Sequence, residues 1–189
     1  MKDKKLMWLI TLGILITFKI VPVNAWEPFP YGHPSNDDAE DLRFKVDTTC
    51  DYYTMIKNAA VFAGVSYDDL AYSGCPFIYL VTSGNYFTYV THYYDDDWTL
   101  AYVLPNGGPP ITDECLIFVN EWVIEQNYYE EPEHLQWVLC HEWGHVLGLG
   151  HEKDLGARII MWDTDLPYLD YGIYEPTSDE EDGLEDIYS

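Results

Sequence analysis

Positive charge is what this chain has least of: 9 Lys and Arg stand against 33 Asp and Glu in 189 residues, a net charge of −24. A field of that sign repels phosphate backbones and anionic headgroups, which argues against nucleic acid and membrane surfaces as partners. Long apolar runs are also scarce. Leu6 to Phe18 is such a stretch, and it is too short to cross a bilayer comfortably. Cysteine is limited to Cys50, Cys75, Cys115 and Cys140, and no two of them stand at C-x₂-C spacing, so a cysteine-built zinc ribbon is excluded. There is no internal repeat.

The apolar stretch has a basic start in Lys2, Lys4 and Lys5 and is followed by Val23-Asn24-Ala25, with small or apolar residues where a signal peptidase reads. Residues 1–25 are therefore expected to be a cleaved secretory signal, with no stable membrane association afterwards. Residues 26–189 are expected to form one secreted, monomeric domain, large enough to bury a sizeable core. Its Pro-rich start (Pro28, Pro30, Pro34) reads as an extended leader over 26–41. Export predicts two disulfides. Three pairings are possible; Cys50–Cys75 and Cys115–Cys140 are favoured because each closes a moderate loop between elements expected to be neighbours. The acids could solvate a secreted surface, serve a salty medium or bind Ca2+. Asp95-Asp96-Asp97 and Asp179 to Asp182 are the runs that could supply oxygen ligands.

Periodicity predicts a strand at Leu42 to Val46 and a helix from Asp51 that ends at Gly64. Two strands, Phe77 to Thr82 and Tyr86 to Tyr93, flank a hairpin-like break at Ser83-Gly84-Asn85. Trp98 to Leu104 and Cys115 to Ile124 follow as strands, then a helix from Pro132 to Gly148. Ser178 and Glu181 form a capping box for a last helix whose apolar stripe is Leu184, Ile187 and Tyr188.

The chemistry is concentrated at residues 141–151, HEWGHVLGLGH. His141 and His145 stand four apart and share one helix face, so both can hold one zinc ion. Glu142 is placed to act as general base on an attacking water. Gly148 can take positive φ and turn the chain so that His151 becomes a third nitrogen ligand. Three protein ligands leave a fourth position open, which marks a catalytic rather than a structural zinc.

This HExxHxxGxxH pattern, with Met161 ten residues further on in Ile159-Ile160-Met161-Trp162, resembles the metzincin clan of zinc endopeptidases. The segment from Pro176 to Tyr188 looks like the closing helix of matrixins and serralysins. The resemblance implies an α+β zincin fold: a twisted mixed β-sheet, an active-site helix, a Met-turn at Met161 and a C-terminal helix. It also implies one catalytic Zn2+, a protein or peptide substrate bound along an edge strand, and peptide-bond hydrolysis. Glu152 after the third histidine looks more like astacins and serralysins than matrixins, but Asp163 stands where those families often place a Tyr, so a Tyr ligand is not supported; a small matrixin-like enzyme fits best.

Two rivals belong to other classes. One is a silent zincin-fold binding or inhibitory module, which intact Glu142 argues against. The other is a disulfide-stabilised surface protein with a structural zinc, for which no fourth ligand stands at a convincing spacing. His33, His92 and His134 are spare histidines, though His92 beside Asp95 could contribute to a second metal site.

Overall fold

The computed structural model describes residues 30, 33–34, 41–70, 78–105, 114–126, 132–152 and 159–188. The expected signal, most of the leader and Cys75 lie outside the described residues. Within them, strict alternation forms β1 (Leu42–Val46), where Leu42, Phe44 and Val46 turn inward and Arg43 and Lys45 outward. Helix α1 (Tyr53–Asp69) follows, burying Ile56, Ala59, Ala60, Ala63 and Tyr67 along one stripe. Strands β2 (Ile78–Leu80), β3 (Thr88–Tyr93), β4 (Ala101–Pro105) and β5 (Cys115–Asn120) complete a five-stranded sheet in the order β2-β1-β3-β5-β4. Only β4 is antiparallel to its neighbour, so the sheet is mixed and the fold is α+β, as expected.

The remaining helices are α2 (Glu121–Glu125), α3 (Pro132–Val146), α4 (Leu166–Tyr171) and α5 (Ser178–Tyr188). The core joins Phe44, Val90 and Ile117 of the sheet to the buried stripe of α1 and to Leu135, Val138, Leu139 and Trp143 of α3. Phe44 meets Trp143 edge-on at 5.4 Å between centroids, a geometry aromatic quadrupoles favour. The other sheet face is half-exposed and aromatic: Tyr102 stacks on Phe118 at 5.0 Å, and Lys45 Nζ sits 4.4 Å from the Tyr86 ring centroid.

Several expectations need correction. Helix α1 runs through Gly64 rather than ending there. Its missing side chain makes room for Ile78, whose Cγ2 would lie 2.9 Å from an added Cβ. The break at Ser83-Gly84-Asn85 does not make a hairpin. Strands β2 and β3 do not pair with each other; both run parallel to β1, which lies between them. The expected strand from Cys115 stops at Asn120, whose side chain accepts from Trp122 N at 3.1 Å and caps α2.

The expected Cys115–Cys140 bridge is not formed. Cys50, Cys115 and Cys140 are buried free thiols. Cys140 faces α1 and the chain's end, where Ser66 and the Glu175 and Glu180 carboxylates surround its thiol, whereas Cys115 sits in the sheet against Thr88 and Pro105. The capping box of α5 is shifted by one residue. Thr177 N and Oγ1 donate to Glu180 Oε2 at 2.7 and 2.6 Å, and Asp179 N donates to Thr177 Oγ1 at 3.3 Å.

Candidate metal centre

Helix α3 and the turn after it bring three imidazoles to one point. His141 and His145 project from one helix face, and Gly148 at φ +102° reverses the chain so that His151 returns to them. A side chain there would be strained in φ and would also strike His33, whose Cβ lies 2.5 Å from the position of an added Cβ. The Nε2 atom of His151 is 3.0 Å from that of His141 and 3.1 Å from that of His145.

The opposite ring nitrogens are held by main chain. His141 Nδ1 donates to Ile160 O at 2.9 Å and His145 Nδ1 to Leu149 O at 2.8 Å. These bonds fix the tautomer, leaving an Nε2 lone pair on each ring aimed at the shared point. Burial, first of all, pushes the His141 imidazolium down to about 4 and that of His145 well below its ordinary range, so both rings are neutral donors near pH 7. The separations of 3.0 and 3.1 Å from His151 Nε2 are close to roughly 3.3 Å, the edge of a tetrahedron with zinc–nitrogen bonds of about 2.05 Å. The donor set therefore fits a zinc-like ion.

Met161 lies beneath this centre, 1 % exposed. Its contact explains a residue that carried no signal in sequence. An added Cβ on Gly144, inside the histidine pair, would lie 2.1 Å from Met161 Sδ. Tyr67 of α1 approaches the same sulfur from its hydroxyl at 4.0 Å. The Met161 segment is bound on two sides. Glu152 N donates to Met161 O at 2.8 Å, and the buried Glu180 carboxylate accepts from Ile160 N at 2.9 Å and Met161 N at 3.1 Å. Glu180, which sequence reasoning missed, thus positions the carbonyl that orients His141.

A cavity of about 590 Å³ opens over the three histidines. Glu142 lines it beside them, and Leu100 to Val103 of the β4 region form the facing wall with Trp98, while Trp137 and Asp163 to Asp165 complete it. Strand β4 is an edge of the sheet. Tyr168 stacks on His134 at 4.5 Å, and His134 Nε2 meets Asp165 Oδ2 at 3.2 Å. Neither acidic run that could supply Ca2+ ligands gathers three converging side-chain donors among the described residues. The Asp95–Asp97 loop is instead held by Asn120, whose amide donates to Asp95 O at 3.1 Å and Asp97 O at 3.3 Å.

Burial pushes the Glu142 carboxyl up to about 8. In the metal-free chain a group whose folded pKa lies above its unfolded value of 4.5 loses stability as pH rises between the two. Chelated wild type should therefore melt at progressively lower temperature, relative to chelated Glu142→Gln, as pH is raised from about 5 to 8. Parallel melting curves for the two proteins across that range would contradict this.

The family model described as matrixin matches residues 79–189, a stretch that includes all three histidines, Glu142 and Met161. A solved structure titled "GM1 bound form of the ECX AB5 holotoxin" is similar in fold, with a TM-score of 0.52 over 79 % of this chain and 80 % of that one. At 13 % identity the likeness concerns the fold alone. No curated protein matches this chain.

Proposed function

From the premise that the chain belongs to the matrixin family, whose model matches more than half of it, we propose that it is a secreted zinc endopeptidase acting on protein or peptide chains. The observation that carries the proposal is the convergence of three Nε2 atoms beside a buried carboxylate in an open cavity. His141, His145 and His151 would hold the ion. Zinc, when bound in such a site, supplies Lewis acidity that polarises a carbonyl and acidifies water. The chain's own residues do the rest. Glu142 takes the proton of the attacking water and returns it to the leaving amine. The free edge of β4 pairs with an extended substrate and fixes its register over the histidines. Trp98, Leu100 and Trp137 supply an apolar wall beside the reacting groups.

Secretion rests on the signal-like residues 1–25, with cleavage after Ala25 and a mature domain from Trp26. Among the described residues no helix is long and apolar enough to cross a membrane.

The test is zinc content together with casein or gelatin cleavage on the chain from Trp26, before and after chelation. One zinc bound through the histidines, with cleavage that chelation abolishes and zinc restores, supports the proposal. Zinc without cleavage of either substrate favours the silent binding module. His151→Ala should lower zinc affinity by at least roughly 10–100-fold, more than loss of an outer-shell partner costs, because it removes one of three ligands. Unchanged affinity in a zinc titration would refute the ligand role.

A further inference from the structure

A second group of metal-type donors lies at one border of the sheet. Strands β1, β3 and β5 are mutually parallel, so their C-terminal ends share one border. Cys50 stands four residues beyond β1, His92 is the penultimate residue of β3, and Glu121 immediately follows β5. One donor atom from each of the three lies within 4.8 Å of the other two. His92 Nδ1 is 2.7 Å from Glu121 Oε2, and His92 Nε2 is 4.0 Å from Asp47 Oδ2. His92 thus meets Glu121 and Asp47 rather than forming a site with Asp95. None of the three donors lines the cavity over the histidine triad.

We infer that Cys50, His92 and Glu121 form a second, structural metal site that takes a zinc-like divalent cation and staples the ends of β1, β3 and β5, with Asp47 as the nearest further ligand.

The donor chemistry selects the ion. Thiolate and imidazole suit zinc and disfavour calcium and magnesium, which take oxygen ligands. The electrostatics ask for a cation. Cys50 and Glu121 are each 5 % exposed, and among the described residues neither Glu121 nor Asp47 has an ion-pair partner other than His92. Burial pushes the Cys50 thiol up to about 12, and the Asp47 and Glu121 carboxylates add to it. A divalent ion reverses that balance by stabilising the thiolate and neutralising the carboxylate together. Donors around tetrahedral zinc stand roughly 3.3–3.7 Å apart, so binding closes the widest pair by at most about 1.5 Å and, where His92 Nδ1 and Glu121 Oε2 are the ligand atoms, opens that pair by about 0.6 Å. Tyr52 N already donates to Glu121 Oε1 at 3.3 Å, which ties the Cys50 loop to the same carboxylate.

The experiment loads the full chain, purified with its thiols reduced, with Co2+ and records metal stoichiometry and the near-ultraviolet spectrum. A thiolate-to-cobalt charge-transfer band is expected in wild type, with two cobalt ions per chain. It should persist in the His141→Ala/His145→Ala variant at one ion per chain and vanish in Cys50→Ala, which also keeps one. If Cys50→Ala fails to fold, His92→Ala decides: loss of the band upholds the site and a retained band overturns it. One ion per chain with no thiolate band overturns the inference, as does finding Cys50 in a disulfide in protein purified without reductant. One ion per chain with the band present upholds this site and counts instead against the histidine triad.

Discussion

Glu142→Gln should keep the chain's metal at the histidine triad and lose peptide hydrolysis by roughly 10²–10⁴-fold, the usual contribution of a positioned acid–base group. The expectation follows from where Glu142 stands. It is next to His141 on α3 and 5 % exposed, it lines the cavity, and its Oε2 has no hydrogen-bond partner among the described residues. A buried carboxylate oxygen without a partner costs stability unless something arrives to meet it. A water poised for attack meets that description. Burial raises the proton affinity of the group above that of a solvated carboxylate, which brings it nearer the working pH and makes it a better base. Gln has nearly the same shape and cannot take a proton, while the three imidazoles that hold the ion are untouched. Cleavage rates and zinc content measured side by side separate the two effects. Hydrolysis within tenfold of wild type would remove Glu142 from the mechanism, and loss of zinc would make it a positioning residue instead.

The ligand set and the base were legible because each fixed letter of residues 141–151 answers a local chemical demand, and helical spacing alone puts His141 over His145. What stayed hidden depends on distant approaches. Gly144 occupies a free position of the motif, and only the arrival of Met161 Sδ from seventeen residues away gives it a reason. The turn chemistry at Ser83-Gly84-Asn85 is real, with Gly84 at φ +89°, but a turn does not say which strands will pair, and β1 lies between the two it was thought to join. Thr177 and Ser178 are equally good caps with a Glu three residues on, so only the meeting of Glu180 with the Ile160 and Met161 backbone decides the register of the capping box. Counting cysteines predicted bridges; it could not show that Cys140 and Cys115 look toward different neighbours.

The second large effect is expected from Glu180→Ala, a residue that touches neither the metal position nor the cavity. Its carboxylate accepts from Ile160 N, Met161 N, Thr177 N and Thr177 Oγ1. Ile160 and Met161 are 0 % and 1 % exposed, so water does not readily replace the lost acceptor. Each buried donor left unpaired costs about 1–3 kcal/mol, which for the two of them and the lost cap of α5 comes to roughly 3–8 kcal/mol. Against a domain stability of about 5–15 kcal/mol, that is a large fraction of the whole. The damage should also reach the metal centre. Ile160 N donates to Glu180 while Ile160 O accepts from His141 Nδ1, so releasing that peptide frees the imidazole to swing. Loss of such an orienting partner typically lowers metal affinity by about 10–100-fold. Glu180→Gln separates the two roles. Its amide oxygen can still serve Ile160 and Met161, while its NH₂ group faces the Thr177 donors, so metal affinity should stay near wild type and stability should fall by only about 1–3 kcal/mol. Denaturant unfolding of the chelated proteins together with zinc titration of the folded ones reads both effects. Wild-type affinity and midpoint in Glu180→Ala would show that the Met161 segment holds the histidine in place without the final helix.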